Sequence, residues 1–288
     1  MNNASTYTSI NGAIVTAENA TISVQDRGLR FGDGIFETIR LIAGIPYQWE
    51  HHLGRLTDGL EALKIEADTQ HLITDALALI RKNEVSDGIL RIMITRGEGS
   101  IGYLPSPQCV PNIIIETIGK NFPPISPAHL WLSTYRKPSA RSLPPEIKHM
   151  QGLNSTLAKI EAQERFCDEA LLLDDKEQIC EATSGNIFWV KNSNIFTPSV
   201  LCPMVAGTMR KAILRLSPYT IKEGECSLDD LKDADEIFLS NASWPIMPIS
   251  KISPLEYSYS NHTIAHELLA LIKEDMQHYV DAWQPPVA

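Results

Sequence analysis

Two lysines in one short stretch, PPEIKHMQGLNSTLAK at 144–159, differ in their surroundings and in the chemistry open to them. Lys148 lies between Ile147 and His149, just after a proline pair that disfavours a helix through that point. A lysine held in an extended segment beside apolar residues can be desolvated. Its pKa then falls, and the neutral amine becomes a nucleophile and a base. The alternative is an ordinary surface lysine in a loop.

The second lysine, Lys159, lies in a run whose apolar residues recur at helical spacing: Leu153, Leu157 and Ile160. Lys159 falls off this predicted apolar stripe. Glu161 and Arg165, also off the stripe, are expected to form an ion pair one turn apart. This is the pattern of a solvated helix face, so we predict a structural role for Lys159 and a chemical one for Lys148.

Two further charged residues could bind the ends of a cationic, phosphorylated ring. Glu181, in QICEATSGNIF, is the last charge before a small, polar run; it is either a solvated strand end or a carboxylate that bonds a ring nitrogen. Arg55 lies at the border of the apolar face of a predicted helix. It either lays its stem on the core with its head in water, or binds a phosphate through two nitrogens.

A third feature, VAGTMRKAIL at 205–214, places a glycine just before a predicted helix. The first N–H groups of a helix are unpaired and its dipole is positive there, so the backbone of Thr208 and Met209 could bind an anion. An ordinary helix start with Gly207 near its N-cap is the alternative. Together, a reactive lysine, a carboxylate, an arginine and a helix start form the protein half of a pyridoxal phosphate site.

With these parts in place, the sequence resembles the fold-type IV pyridoxal phosphate enzymes, or class IV aminotransferases, over nearly its whole length. The matching motifs, in order, are DRGLRFGDGIFETIR, HHLGRL, TRGEGSIGY, IKHMQGLNSTLAK, DEALLLD, EATSGNIFWVK, VAGTMR and FLSNASWPIMPI. The resemblance implies an α+β fold like that of D-amino acid aminotransferase, with a small α+β domain and a larger pseudo-barrel α/β domain. It also implies a pyridoxal 5'-phosphate cofactor between the domains and a homodimer with active sites near the subunit interface.

By the same resemblance, Lys148 is the Schiff-base lysine, Glu181 is the partner of the pyridine nitrogen and Arg55 is a phosphate ligand. The backbone of Thr208 and Met209 completes the phosphate site, to which Asn241 and Ser243 of SNAS can add.

Three activities of the family compete: branched-chain aminotransferase, D-amino acid aminotransferase and aminodeoxychorismate lyase. FGDGIFET, IKHMQGLN, NASWPIMP and AGTMR resemble the lyase forms; transaminases usually have threonine where Met209 stands. The expected reaction is elimination of pyruvate from 4-amino-4-deoxychorismate, giving 4-aminobenzoate for folate synthesis. Transfer of an amino group to a 2-oxo acid is the alternative.

In that lyase reaction, Lys148 removes the C4 proton and Glu181 keeps the pyridine nitrogen protonated. We predict that Thr38 helps to orient the leaving group; otherwise it is an ordinary strand threonine. A degenerate member of the family that acts only as a structural dimer is disfavoured by the intact Lys148, Glu181 and Arg55.

One departure from the family pattern concerns substrate binding. Ile101 of RGEGSIGY stands where the lyase and the D-amino acid enzyme usually have an arginine for a carboxylate. The D-amino acid enzyme would also have histidine at Tyr103 and tyrosine at Phe36, so that activity is disfavoured. A substrate carboxylate without a partner would be costly. Our candidates for substrate contact are Arg96, Arg30 and Tyr103, and a group from the partner subunit is a further possibility.

Composition excludes several other classes of function. The 288 residues are 43% hydrophobic and 21% charged, with a formal net charge of -10, which disfavours nucleic acid and anionic membranes as partners. No apolar run approaches the roughly 20 residues of a membrane span, and no signal peptide is apparent. The five cysteines lack CxxC spacing, which favours the cytoplasm, and the histidines lack metal-ligand spacing, so no metal site is expected.

The elements that must position these residues follow from periodicity. We predict hairpins at Asn11-Gly12, near Ala43-Gly44 and at Asn192-Ser193, with extended runs on both sides of Gly32. Helices are predicted at 49–63 and 69–84, and strands at 89–96 and 112–119. The Pro- and Gly-rich segment 119–128 is the predicted linker between a small domain at 1–118 and a larger, mostly antiparallel domain at 129–288.

Overall fold

The structure, a computed structural model, describes residues 6–122, 126–145 and 147–285. These fall into two compact units. Unit 1 contains 6–122, 147–151 and 276–285, and unit 2 contains 126–145 and 152–275. The division departs from the predicted 1–118 and 129–288, because two later segments cluster with the first unit. Part of the predicted linker, 123–125, lies outside the described residues, as do the outermost residues of both predicted domains.

Unit 1 contains a six-stranded antiparallel sheet in the order β2-β1-β6-β5-β3-β4. Its strands are β1 Tyr7–Ile10, β2 Ala13–Thr16, β3 Gly34–Ile42, β4 Ile45–Pro46, β5 Gly88–Thr95 and β6 Asn112–Gly119. The predicted turns at Asn11-Gly12 and Ala43-Gly44 are confirmed, since all four residues have the positive φ that tight hairpins need.

The helices within unit 1 are α1 Arg27–Phe31, α2 Trp49–Leu63 and α3 Leu72–Lys82. Two of them, α2 and α3, pack against the sheet. Ile35, Ile39 and Leu41 of β3 alternate inward and meet Leu56 of α2 and Leu79 of α3 in the core. The prediction of an extended run before Gly32 is wrong. Asp26 accepts a hydrogen bond from the Gly28 N–H at 2.6 Å and caps α1 instead.

The segment around Lys148 runs beside the first residues of β3. Phe36 N–H donates to the Lys148 carbonyl at 3.0 Å, and Met150 N–H donates to the Gly34 carbonyl at 2.9 Å. A side chain at Gly34 would lie 2.8 Å from the Met150 sulfur and 2.5 Å from the Ile94 carbonyl, so only glycine fits here. Lys148 is therefore held in an extended segment next to the buried Ile147, as its surroundings in the sequence predict.

Unit 2 contains a nine-stranded mixed sheet in the order β12-β11-β10-β13-β14-β7-β8-β9, with β15 beside β14. Its strands are β7 Ala128–Arg136, β8 Glu169–Leu173, β9 Ile179–Ala182, β10 Asn186–Lys191, β11 Asn194–Pro198, β12 Ile221–Gly224, β13 Glu236–Ser240, β14 Met247–Ser253 and β15 Tyr257–Ser258. Most pairs are antiparallel, as predicted, but β7–β8, β7–β14 and β11–β12 are parallel. The predicted Asn192-Ser193 hairpin joins β10 to β11.

The helices of unit 2 are α4 Leu153–Glu164, α5 Thr208–Leu216 and α6 Leu228–Lys232. A closing helix, α7 Thr263–Ala282, begins in unit 2, and its last residues cluster with unit 1. Within the described ranges, every helix is too short or too polar to cross a membrane.

The predicted apolar stripe of α4 is wrong. Leu153 is 70% exposed, whereas the small residues Ala158 and Ala162 are buried, because small side chains let the helix approach the sheet closely. The predicted ion pair between Glu161 and Arg165 is also wrong. Glu161 instead accepts hydrogen bonds from the Ser133 hydroxyl at 2.6 Å and the Thr134 N–H at 3.0 Å.

Candidate active site

Five residues of unit 1 form what we call the lysine cluster: Lys148, Phe36, Glu37, His52 and Arg55. The Lys148 Nζ lies 4.3 Å from the centroid of the Phe36 ring, within the range of a cation–π contact. Phe36 and Thr38 share one face of β3, because alternate residues of a strand point the same way. Thr38 thus lies on the sheet face that carries the Lys148 amine.

On the opposite, buried face of β3, Glu37 binds a cation, Arg55, and an imidazole, His52. Its Oε1 and Oε2 each lie 2.7 Å from a nitrogen of Arg55, the Nε and the Nη2 respectively. Its Oε2 is also 2.7 Å from the His52 Nδ1. Glu37 thus binds two of the three guanidinium nitrogens of Arg55, and the phosphate contact of Arg55 stays a prediction.

The charged residues of the lysine cluster shift one another's pKa values. Burial would raise the pKa of Glu37, but the nearby Arg55 and His52 hold it far below its ordinary value of 4.5. Burial lowers the pKa of His52; Glu37 opposes that shift, while the charges of Arg55 and Lys148 add to it. Glu37 is therefore ionised at neutral pH and keeps Arg55 in one orientation.

A second cation, Arg91 of β5, lies on the same sheet face as Lys148. Its guanidinium carbon is 5.0 Å from the Phe36 ring centroid, and its backbone is directly opposite Thr38 in the ladder. Arg91 is exposed to solvent. One aromatic ring thus contacts both the Lys148 amine and an accessible guanidinium.

The three residues predicted to bind substrate contact Asp33, backbone carbonyls or solvent. Arg96 is 2.8 Å from Asp33 and donates to the carbonyls of Leu63 and Lys64 at the end of α2. Arg30 is exposed and donates to the Gly99 carbonyl at 3.2 Å, and Tyr103 is 88% exposed. Their contact with substrate stays a prediction.

The buried Arg27 organises the loop that carries Ile101 and Tyr103. Its guanidinium is 2.8 Å from Asp33 and donates to the carbonyls of Gly102 and Tyr103 at 2.8 Å each. A guanidinium bound to successive carbonyls fixes the backbone and leaves the loop's side chains pointing outward.

In unit 2, the carboxylate cluster consists of Glu181, Lys137, Asn186 and Val205. The Glu181 Oε1 lies 2.7 Å from the Lys137 Nζ. The Oε2 accepts from the Val205 N–H at 3.2 Å and from the Asn186 amide at 3.4 Å. A carboxylate offers roughly four acceptor sites. Glu181 can therefore accept one further N–H in addition to these three donors.

Asn186 links Glu181 to the start of α5. Its amide donates to the Val205 carbonyl at 2.8 Å, and a side chain at Gly207 would lie 2.2 Å from its Oδ1. Only glycine allows that close approach. The helix then begins at Thr208 with Gly207 as its N-cap, and both Thr208 and Met209 are buried. The predicted anion-binding backbone is thus the first turn of a nine-residue helix.

Asn241 binds within unit 2 to the loop that follows Glu181. Its amide donates to the Ser184 carbonyl at 2.8 Å, and its Oδ1 accepts from the Ser243 and Trp244 N–H groups at 2.8 Å each. The side chain of Asn241 shapes a turn, so its predicted cofactor contact, and that of Ser243, stays a prediction.

A buried carboxylate, Glu169, supports the same loop. It accepts from the hydroxyls of Thr183 and Ser184 and lies 3.1 Å from the Lys159 Nζ. Lys159 is exposed, as the sequence predicts, and its amine also donates to the Asp168 carbonyl at 2.5 Å. Its contacts are those of a structural residue.

The family model described as amino-transferase class IV matches residues 34–252. The chain belongs to this family. The match runs from the start of β3 through Lys148, Glu181 and Thr208 into β14, so it includes both clusters. The family depends on pyridoxal phosphate, which confirms the cofactor predicted from the sequence, and its members are lyases or aminotransferases.

Two relatives of equal identity are named for different activities. A Methanocaldococcus jannaschii protein provisionally named branched-chain-amino-acid aminotransferase is 32% identical over 95% of this chain and 96% of its own. The aminodeoxychorismate lyase of Vibrio harveyi is 32% identical over 82% of this chain and 89% of its own.

Solved structures share the fold. The 4-amino-4-deoxychorismate lyase of Pseudomonas aeruginosa has a TM-score of 0.82 at 29% identity, and the match covers 93% of this chain and 99% of that one. The branched-chain amino acid aminotransferase of Escherichia coli has a TM-score of 0.87 at 24% identity, with 97% of both chains covered. A further branched-chain aminotransferase of this fold was solved with pyridoxamine 5'-phosphate. These likenesses confirm the predicted α+β, fold-type IV architecture.

The residues present suit the cofactor. Lys148 offers an amine, Glu181 has acceptor capacity for one more N–H, and the first turn of α5 offers backbone N–H groups to a phosphate. By contrast, the described residues contain no group of three acidic, histidine or cysteine side chains arranged to hold a metal ion.

Sequence reasoning missed Glu37, His52, Lys137, Asn186 and Arg91. One signal was available: Glu37 alternates with Ile35 and Ile39, so a charge at that position must be buried and paired. For Lys137 the sequence carries no such signal, since its partner is 44 residues away.

We expect Glu37→Gln to lower the free energy of unfolding by about 3–5 kcal/mol at neutral pH, because it breaks a buried ion pair. The pKa of Glu37 is lower in the folded protein, so its stabilising contribution is present above 4.5 and is lost as pH falls below that value. The deficit of the variant should therefore shrink in acid. Urea unfolding curves at several pH values measure this, with Glu61→Gln on the exposed side of α2 as the control. A deficit that is constant with pH would contradict the assignment.

Proposed function

We propose that this chain is a 4-amino-4-deoxychorismate lyase, which eliminates pyruvate and leaves 4-aminobenzoate for folate synthesis. The observation that carries the proposal is the sheet face around Lys148, which presents Thr38 and Arg91 together with the Phe36 ring. The substrate has two carboxylates, and an accessible cation suits it. A branched-chain amino acid has one carboxylate, but its aliphatic side chain would also require an apolar surface.

In this proposal the residues have the following roles. When bound, the cofactor supplies an electron-withdrawing ring that takes up the electron pair left by proton removal. Lys148 would hold the cofactor through its amine and, as a neutral amine, would take the C4 proton of the substrate. Glu181 would accept the N–H of the ring nitrogen, and Arg55 and the start of α5 would hold the phosphate. The bond from ring carbon to enolpyruvyl oxygen breaks, and the enol becomes pyruvate after protonation.

Thr38 is proposed to orient the leaving group, and Arg91 to bind a substrate carboxylate in place of the arginine missing at Ile101. The guanidinium of Arg91 is exposed and lies against the same ring as Lys148. Arg96, in contrast, is engaged by Asp33 and by the end of α2. Arg91 thus fits the carboxylate better than Arg96 does.

The second candidate is a class IV aminotransferase. It is favoured by the Methanocaldococcus jannaschii relative, which matches nearly the whole chain. Both reactions need the same lysine and the same proton removal, so only the fate of the substrate separates them.

Homodimerisation and a cytoplasmic location are also proposed. Two loops of unit 1, 20–26 and 97–110, are bridged through Asp26 and Glu98 and expose large apolar side chains. The most exposed are Val24, Ile101, Tyr103, Leu104 and Val110. Apolar surface of this kind favours association with a second copy of the chain. The five cysteines are free thiols, which suits a reducing compartment.

We expect Lys148→Ala to lose the yellow absorption band of the bound cofactor and to lower the rate of 4-aminobenzoate release by at least about 10²–10⁴-fold, since it removes the base. Lys159→Ala should keep the band. The measurement follows 4-aminobenzoate and pyruvate from aminodeoxychorismate, in parallel with amino transfer from a panel of L- and D-amino acids to 2-oxo acids. Steady amino transfer without 4-aminobenzoate would make the chain an aminotransferase.

We expect Arg91→Gln to raise the KM for aminodeoxychorismate about 10–100-fold with a smaller effect on kcat, because a charge-assisted contact to the carboxylate is lost. Arg81→Gln, an equivalent change at an exposed position of α3, should leave KM unchanged. Steady-state kinetics of both variants decide this. An unchanged KM in Arg91→Gln would remove Arg91 from substrate binding.

We expect the native chain to sediment as a dimer and Leu104→Asp to shift it towards the monomer, because a charge would be buried in the interface. Leu104 is 85% exposed in the single chain. Leu201→Asp, at a position that is 81% exposed in unit 2, is the matched control and should remain dimeric. Analytical ultracentrifugation at micromolar concentration tests this. A native monomer would rule the dimer out.

A further inference from the structure

The ion pair between Lys137 and Glu181 has no role in the mechanism above. The Lys137 Nζ lies 2.7 Å from the Glu181 Oε1, and their side chains are only 15% and 7% exposed. The Lys137 N–H donates to the Leu173 carbonyl at 2.9 Å, which fixes its backbone at the end of β7 beside β8. Glu181 thus lies in β9, and Lys137 directly follows β7 of the same sheet.

The surroundings of Glu181 make this pair a persistent one. The other carboxylate oxygen accepts from the Val205 N–H and the Asn186 amide, so the carboxylate cannot turn away from Lys137 without losing those bonds. A buried carboxylate that loses its cation would also be costly. Any further hydrogen-bond donor to Glu181 therefore meets a carboxylate that is already paired with an ammonium group.

We propose that Lys137 is a positioning residue that sets the proton affinity of the cofactor's ring nitrogen through Glu181. The inference rests on the cofactor placement given under the proposed function. A carboxylate shared with an ammonium group attracts a ring N–H less strongly than an undivided carboxylate, and the ammonium also repels a protonated ring nitrogen. With Lys137 present, the ring nitrogen thus loses its proton at a lower pH than it would without the lysine.

A purely structural role for Lys137 predicts the opposite sign. If the lysine only held Glu181 in place, its removal would loosen the carboxylate and weaken the hydrogen bond to the ring. The ring nitrogen would then lose its proton at lower pH. The direction of the change in the variant therefore separates the two roles.

The experiment loads the full-length chain with pyridoxal phosphate labelled with 15N in the ring, and follows the 15N chemical shift against pH. We expect Lys137→Gln to raise the midpoint of ring-nitrogen titration by about one pH unit, a tenfold change in proton affinity. Lys137→Arg should keep the native midpoint, and Glu181→Gln should lower it. Lys191→Gln is the matched control, since its ion pair with Asp233 is far more exposed and should shift nothing.

Lys137→Met replaces the glutamine variant if the latter does not fold, as judged by thermal unfolding. A midpoint that falls or stays unchanged when the lysine charge is removed overturns the inference. The titration needs no substrate, so it gives the same answer if the chain proves to be an aminotransferase. An unchanged midpoint in Glu181→Gln would show that the cofactor placement itself is wrong, and would overturn both proposals.

Discussion

The hydrogen bonds between β3 and the segment at 147–150 are the constraint on which the site depends. Two backbone contacts, Phe36 to Lys148 and Gly34 to Met150, join the segment after the proline pair to β3 through an isolated β-bridge. Without them Lys148 would be a mobile surface lysine. With them its amine lies against Phe36 and on the sheet face that carries Thr38 and Arg91. The two backbone hydrogen bonds thus fix the position of the Lys148 side chain more firmly than a loop without them could.

Buried charge is organised in the same way in both units. Glu37 binds Arg55 and His52 beneath one sheet, and Glu181 binds Lys137 beside the other. In each case a carboxylate between strand neighbours holds a cation whose orientation would otherwise vary. The main-chain N–H of Val205 and the amide of Asn186 complete the second arrangement. A buried charge without a partner would be costly, so each carboxylate stays next to its cation. The orientation of both side chains is fixed as a result.

Much of this fold could be predicted because its signals are local. Hairpins at Asn11-Gly12 and Asn192-Ser193 depend on residues that tolerate positive φ, and the strand at 112–119 has a continuous apolar pattern. Local sequence signals gave wrong predictions where tertiary contacts determine the structure. The leucines of α4 look like a core stripe, but alanines pack inward, and an aspartate cap turns the segment before Gly32 into a helix. The role of Lys137 could not be predicted from the sequence, because it depends on contact with Glu181 on a distant strand.

The path of the chain through the two units has a consequence for how it is made. Residues 6–122 contain every strand of the first sheet, yet the segment with Lys148 belongs to that unit and arrives only after β7 of the second. During synthesis from the N-terminus, the first sheet can pair its own strands before the segment with Lys148 leaves the ribosome. The last residues of the unit, 276–285, come later still. The strands of the sheet are therefore available before the segment that contains Lys148, so a partial chain that ends before that segment would contain the sheet without its lysine.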